Sequence, residues 1–363
     1  MRTIAAVCLS LALLSGCAAN QAPQTWRDCT VTGPCAEPFK AKVVIVTMFE
    51  RGEVEGDSPG EFQLWKERRD LDTVVPFPHG YRDVYVNEET GIVGFVTGIG
   101  TMHSAGTTMA LGLDPRFDLS EAYWLVAGIA GIDPEDASIG SVAWSSYLID
   151  GDLGHQIDAR EKPDDWPTGY FARRTHGPLD TKRPDSQGER LVANPALRDW
   201  AFELTKDVEL PDLPGLAETR SLYTEHPNAQ RPPFVLTGGH IAAMTFWHGE
   251  LLNDWANEWV RFWSDGETDF VTSAMEETGT FQSITYLHEI GRVDKNRFMV
   301  LRAGSNYTMP PPGVTAADNL LAENEGYAGF GAALESLYVT GSVVIDELLA
   351  NWGTYQDTIP SAQ

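Results

Sequence analysis

The chain has 363 residues, 42 % of them hydrophobic, with 11 Trp. That is long for one domain but within the range of an α/β domain with a large core. Its 52 acidic and 26 basic residues give a formal charge of −26, and a surface that acidic repels phosphate backbones, which argues against a nucleic-acid partner.

The chain opens with MRTIAAVCLSLALLSGCAAN. One Arg precedes an apolar run over residues 4–14, followed by small residues. This reads as a secretory signal, too short to span a membrane. LLSGC resembles the bacterial lipobox, in which the Cys is lipidated and becomes the first mature residue. The expectation is therefore a lipoprotein signal peptide over 1–16 and lipidation at Cys17. Ala18 after it, by resemblance to lipoproteins, points to a protein of the bacterial periplasm anchored to the outer membrane. Contact with the membrane would be through the lipid alone, because no later apolar run approaches the roughly 18 residues a spanning helix needs.

Residues 17–38 are polar, contain Pro23, Pro34 and Pro38, and read as a tether. Cys8 falls in the signal. Cys29 and Cys35 remain, in DCTVTGPC with Gly33-Pro34 to turn the chain, and in an oxidising compartment they are expected to pair. Zinc on these two alone is a poor alternative, since it takes four ligands. No H-x-x-x-H or C-x-x-C occurs, so no metal is expected.

From residue 39 to 363 the pattern is that of a single domain. AKVVIVTMF (41–49) is a continuous β-branched run, the mark of a strand buried on both faces. GIVGFVTGIG (91–100) predicts a strand entering a Gly turn, SAGTTMALGL (104–113) a helix, EAYWLVAGIAGI (121–132) and GSVAWSSYLID (140–150) two further strands. Residues 151–230 are polar and rich in Pro, Asp and Arg. Within them NPALRDWAFELTKDV (194–208) predicts a helix, with Asn194 as N-cap and Pro195 in the first turn. Then come a strand at 232–239, an amphipathic helix at 247–263, a strand at 269–275, a helix at 276–291, a strand at 296–308 and a closing helix at 325–352. Strands alternating with helices predict a mixed α/β sheet covered by helices.

In such folds the site lies beyond the carboxyl ends of the strands. The strand-end candidates are Glu50, the turn 97–101, the segment 238–240, Met275 with Glu276 and Glu277, and the segment 302–306. The turn TGIGT offers backbone N–H groups and a hydroxyl, but it lacks the third Gly of a dinucleotide fingerprint and is as readily structural. His248, at a helix start, is balanced between a packing role and ligand contact. No G-x-S-x-G elbow anchors a serine triad. What remains is a carboxylate site drawn from Glu50, Glu53, Glu55, Asp158, Glu276 and Glu277. A carboxylate accepts two O–H bonds from a vicinal diol, and it can orient water against a glycosidic carbon.

VVIVTMFERGE, VTGIGTMHSAGTTMAL, YWLVAGIAGIDPEDASIGSVAW, DGDLGHQIDAREKP, FWHGELLNDWAN, FVTSAMEETGT and RAGSNYTMPPPG together resemble the purine nucleoside permease family over nearly all of 39–355. That family in turn is distantly similar to nucleoside phosphorylases and to methylthioadenosine/S-adenosylhomocysteine nucleosidases. The resemblance implies a three-layer α/β/α, nucleoside phosphorylase-like domain with a mixed, partly barrel-like central sheet. It implies that Glu276 holds the ribose hydroxyls with Met275 against the sugar, leaving Glu277 as a first-turn residue that favours the helix dipole. It implies that Thr97, Gly98 and Gly100 form the turn facing the ribose or phosphate; Gly239 and His240, at a strand end, and His248, at a helix start, are expected as further nucleoside contacts by position. Asn306 takes the place of an acid at the purine base, where it can hydrogen-bond but cannot protonate. Glu50 or Glu53, after the first strand, would position water. No cofactor is implied; inorganic phosphate would need Arg51, Arg82 or Arg160, none in a secure phosphorylase position. A homo-oligomer is also implied, although the 151–230 insertion is placed to cover such an interface. The function expected is purine nucleoside recognition with cleavage of the N-glycosidic bond, by water rather than phosphate. The alternative is a non-catalytic binding protein that assists nucleoside transport.

Overall fold

A computed structural model of the chain describes residues 25–30, 33 and 35–362. The expected signal peptide and Cys17 lie outside the described residues. The elements that position the site are strands β1 (Val43–Thr47), β2 (Ile92–Val96), β3 (Tyr123–Ile132), β4 (Val142–Ser145), β5 (Tyr147–Asp150), β6 (Gly239–Ala242), β7 (Phe270–Ala274) and β8 (Phe298–Tyr307). The helices are α1 (Gln63–Arg68), α2 (Thr101–Leu113), α3 (Pro195–Thr205), α4 (Glu250–Ser264), α5 (Glu277–Glu289), α6 (Ala316–Ala322) and α7 (Phe330–Ala350).

β1 is parallel to both β2 and β3, and β3 is parallel to β8 along most of its length. β8 pairs antiparallel with β4, β5 pairs parallel with β6, β6 with β7, and β7 returns antiparallel to the end of β3. These pairings close a ring, so the mixed sheet is partly barrel-like as expected. The single strand expected at 140–150 is two strands. Its first half pairs with β8 and its second half with β6, so the chain bends at the buried Ser146 to change partners. The strand expected at 232–239 is likewise divided, into Val235–Thr237 and β6, with Gly238 and Gly239 at the break. A side chain at Gly239 would sit 2.9 Å from the Asp269 carbonyl; only glycine permits that approach.

Successive side chains of β1 enter opposite layers, which makes three layers. Val44 and Val46 join Trp124, Val126 and Phe95 against Leu111 of α2 and Phe281, Ile284 and Leu287 of α5. Val43 and Ile45 join Leu125 and Leu301 against Trp65 of α1, Leu197 and Ala201 of α3, and Leu337, Val344 and Leu348 of α7. A third group packs the Trp255, Trp259 and Trp263 stripe of α4 on Ile149, Ile241 and Phe270.

Cys29 and Cys35 form the expected disulfide. The described part of the expected tether is docked: Trp26 packs on Phe39 and Phe117. Residues 151–230 carry α3, a short hairpin of Gly154–Gln156 with Tyr170–Ala172, the edge strand Arg190–Val192 and a helix at Leu216–Ser221. Among the described residues no single helix is long and apolar enough to cross a membrane.

Candidate functional site

The carboxyl ends of β1, β3, β7 and β8 surround a cavity of about 290 Å³. Met48, Phe49 and Arg51 follow β1, Ile129, Ala130 and Gly131 end β3, Ser273 to Glu276 end β7, and Arg302, Ser305 and Asn306 come from β8. Phe246, Tyr327 and Phe330 add an apolar wall, and Glu61 enters from the start of α1.

The floor is a chain of buried charges. Glu276 accepts the Gly100 N–H on Oε1 at 2.8 Å and Arg302 Nη2 on Oε2 at 2.9 Å. Arg302 also donates from Nε to Glu277 and from Nη1 to the Ile129 carbonyl at 2.7 Å. Glu277 accepts His240 Nε2 at 2.7 Å, and the far nitrogen of that ring meets Thr272 Oγ1 at 2.9 Å. An ionised carboxylate only accepts, which fixes the His240 proton on Nε2. Burial opposes the ionised form of Glu277, but Arg302 and His240 outweigh it and hold this carboxyl far below the usual range. Burial opposes the charge on Arg302 as well, and Glu277, Glu276 and Glu61 outweigh it, so the guanidinium stays charged.

Glu61 is different. It is 3 % exposed, and its carboxyl accepts the N–H groups of Met48 and Ile129 at 2.7 and 2.8 Å. Arg302 is 3.9 Å away. Burial pushes its pKa up to about 8, Glu276 adding to the rise and Arg302 opposing it. It is therefore a carboxyl on the cavity wall whose proton is exchangeable near neutral pH.

The expected site residues fall into three groups. Met275, Glu276 and Asn306 line the cavity. Gly100 and His240 stand one step behind it: Gly100 holds Glu276, and His240, fully buried, holds Glu277. Glu277 is in the first turn of α5 as expected, and it is also a buried anchor between the Arg302 guanidinium and the His240 N–H. Thr97 and Gly98 maintain the turn, Thr97 bonding to the Gly98 carbonyl, while Ile99 between them and Gly100 reaches the cavity. Gly239 serves packing, and His248 bonds Asn319 Oδ1 at 3.0 Å away from the cavity floor.

Glu50 and Glu53, the candidates for positioning water, are placed elsewhere. The Glu50 carboxylate accepts the backbone N–H groups of Arg51, Gly60, Phe62 and Gln63, tying the loop to the start of α1. Glu53 lies exposed in that loop, and Glu55 pairs with Lys66. Asp158 is on the surface, paired with Arg160. The carboxyl that faces the cavity beside Glu276, Glu61, was missed because the loop at 51–60 separates it from β1 in sequence. The backbone pair of Glu61 N with the Phe49 carbonyl at 3.1 Å closes that loop and returns Glu61 beside Met48. Its signal was legible: a Glu at the head of EFQLWKER, directly after a Gly- and Pro-containing loop. Arg302 was within a strand-end candidate segment but had no assigned role.

The family model for the purine nucleoside permeases matches residues 40–360. The chain is 30 % identical over 327 residues to a Schizosaccharomyces pombe protein named "Probable purine nucleoside permease", covering 86 % of this chain and 90 % of that protein. It is 31 % identical over 322 residues to the purine nucleoside permease of Candida albicans, covering 86 % and 76 %. Among solved structures, futalosine hydrolase of Helicobacter pylori matches with a TM-score of 0.50 at 16 % identity, covering 85 % of this chain and 98 % of that one. A 5'-methylthioadenosine/S-adenosylhomocysteine nucleosidase from Neisseria meningitidis matches with a TM-score of 0.47 at 16 % identity, covering 85 % and 99 %. At such identity the likeness to the futalosine hydrolase concerns the fold. The relatives correct one expectation: they are fungal permeases, so the assignment to the bacterial periplasm as an outer-membrane-anchored lipoprotein is withdrawn.

Proposed function

The chain belongs to the purine nucleoside permease family, and on that premise we propose that the cavity binds a purine nucleoside and cleaves its N-glycosidic bond with water. The observation that carries this reading is the pairing on one cavity wall of two unlike carboxyls. Glu276 is held by two backbone N–H groups and a guanidinium, and Glu61 is buried with a pKa of about 8. Two carboxyls in unlike surroundings can take different roles, one accepting hydroxyls and the other exchanging a proton.

Glu276 Oε1, with the Gly100 N–H as its one donor, keeps a lone pair for a ribose hydroxyl, whereas Oε2 already accepts Arg302 Nη2 and the Met275 N–H at 3.3 Å. Met275 lies against the sugar, and Asn306 hydrogen-bonds the base. Glu61, once ionised, takes a proton from water as its oxygen attacks the anomeric carbon. The C–N bond breaks with its electron pair going to the purine nitrogen, which takes a proton from solvent, and Glu61 returns to solvent the proton it took from the attacking water. The positive charge that develops on the sugar is stabilised by the adjoining carboxylates.

Water is favoured over phosphate by charge. The Arg302 nitrogens already bind Glu277, Glu276 and the Ile129 carbonyl, so a phosphate dianion beside Arg302 would meet carboxylates. Arg51 lies at the rim, stacked over Phe330 at 3.9 Å. Arg82 bonds the Gly52 carbonyl, and Arg160 pairs with Asp158 on the surface.

A second reading, nucleoside binding in support of transport without cleavage, is favoured by Asn306, an amide that donates no catalytic proton to the leaving base. One experiment separates the readings. Purified protein is incubated with inosine, adenosine and guanosine, with and without phosphate, and free base is measured. Base released without phosphate supports hydrolysis, and release only with phosphate overturns it. Thermal stabilisation by nucleoside with no release in either buffer leaves binding alone.

A further inference from the structure

Asn306 stands, with Ser305 and Tyr327, between two chambers. One is the cavity described above. The other, of about 150 Å³, is lined by Glu323, Tyr223, Tyr307, Asn319 and Tyr327, and Asn306 faces both. The pairing of β8 with β3 shifts register between Gly304 and Asn306, and such irregularities re-aim a side chain at the end of a strand.

The amide of Asn306 has a definite orientation. Its Nδ2 donates to the Tyr307 carbonyl at 3.3 Å and to Glu323 Oε2 at 3.4 Å, and its Oδ1 accepts Ser305 Oγ at 3.0 Å. Acceptors thus collect around the nitrogen on the side of the second chamber. The oxygen retains a lone pair for a donor in the nucleoside cavity.

We propose that Glu323 is the base-selecting residue of this site, a positioning residue that acts through Asn306 by fixing which end of the amide the purine meets. The proposal rests on the nucleoside reading above. With Glu323 ionised, and so only an acceptor, Nδ2 is kept toward the second chamber and Oδ1 is offered to the base. That suits the exocyclic amine of a 6-aminopurine. With Glu323 protonated, its O–H can donate to Oδ1; the amide turns, and Nδ2 is offered to N7 or O6, which suits a 6-oxopurine.

The surroundings place this change in the neutral range. Burial lifts the Glu323 carboxyl to about 7 against the hydrogen bond from Asn306. The groups facing it are Tyr223, after the helix Leu216–Ser221, Tyr307 on β8, Tyr327 after α6, and Asn319 on α6, which binds His248. The nearby Arg220 is engaged by Asp212 at 2.7 and 2.8 Å. Among the described residues no cation pairs with Glu323.

The test measures dissociation constants of adenosine and inosine with the full chain from pH 5.5 to 8.5, for wild type, Glu323→Gln and Glu323→Ala, with melting curves as a folding control. In the wild type the preference should move toward adenosine as pH rises, by about tenfold or more across the range, the size of one hydrogen bond made or left unpaired. In both variants the ratio should be flat with pH. A wild-type ratio that does not move, or a folded Glu323→Gln that keeps the wild-type movement, overturns the proposal. If the wild type binds neither nucleoside, the nucleoside reading itself falls, and this proposal with it.

Discussion

Replacing Glu61 with glutamine tests the site through stability as well as turnover. Glu61 has its pKa raised from 4.5 to about 8 by burial, so the folded protein holds a proton that the unfolded chain releases. The sign follows: this contribution is fully present below pH 4.5 and is lost as pH rises through 8. Each pH unit between costs about 1.4 kcal/mol, a total on the order of 5 kcal/mol for this one group. Glutamine removes the titration but brings an NH₂ against one of the N–H donors of Met48 and Ile129, at a cost of about 1–3 kcal/mol. The two proteins should therefore cross. In urea melts the wild type should be the more stable at pH 5, and its advantage should shrink steadily and reverse toward pH 8.5. Difference curves that stay parallel across this range would refute the assignment of Glu61 as a buried, protonated carboxyl. If base is released, the wild-type rate should rise with pH toward 8, since roughly one molecule in ten has Glu61 ionised at pH 7. The variant should lose about 10²–10⁴-fold. A loss of less than about tenfold would remove Glu61 from the chemistry.

Three other substitutions follow from the same geometry. Arg302→Met leaves Glu276 and Glu277 buried without their cation and should destabilise by about 3–5 kcal/mol in denaturant titrations; a loss below about 1 kcal/mol would mean that the buried network is not coupled as described. Glu276→Gln should weaken ribosides by about tenfold or more relative to free purine bases in calorimetric titrations, whereas equal weakening of both would deny it the ribose. Glu50→Gln should lower the melting temperature, because its carboxylate ties down four backbone N–H groups, while leaving turnover per folded molecule near wild type; a turnover loss as deep as that of Glu61→Gln would return Glu50 to the site.

Much of the architecture was legible because each strand carries its own pattern. The run VVIVT can be buried on both faces only in the middle of a covered sheet, and the Gly-rich ends of the strands announce turns where a ligand can approach. Met275, Glu276 and Asn306 were legible as strand-end positions for the same reason, Asn306 lying near the end of β8 itself, while their roles came from the family resemblance. The edge elements were harder: the hairpin and edge strand within 151–230 consist of three-residue strands, too short to show a period. The division of 140–150 into two strands was not readable locally either, because both halves are equally apolar and only their different partners force the bend at Ser146.

The sequence by itself determined the layered α/β fold, the disulfide pair, and a strand-end site built on carboxylates. It did so because burial and turn chemistry are local properties of a short stretch of chain. Which carboxylate beyond the first strand joins Glu276 at the cavity was decided by the tertiary structure, in the closing of one loop. Glu50 and Glu61 are residues of one type on either side of one loop. Closing that loop on the Phe49 carbonyl turns the first toward backbone N–H groups and places the second beside Met48, Ile129 and Arg302. The raised pKa of Glu61 and the coupling of Asn306 to Glu323 belong likewise to contacts between residues far apart in the chain, whose dielectric surroundings exist only once the sheet has closed.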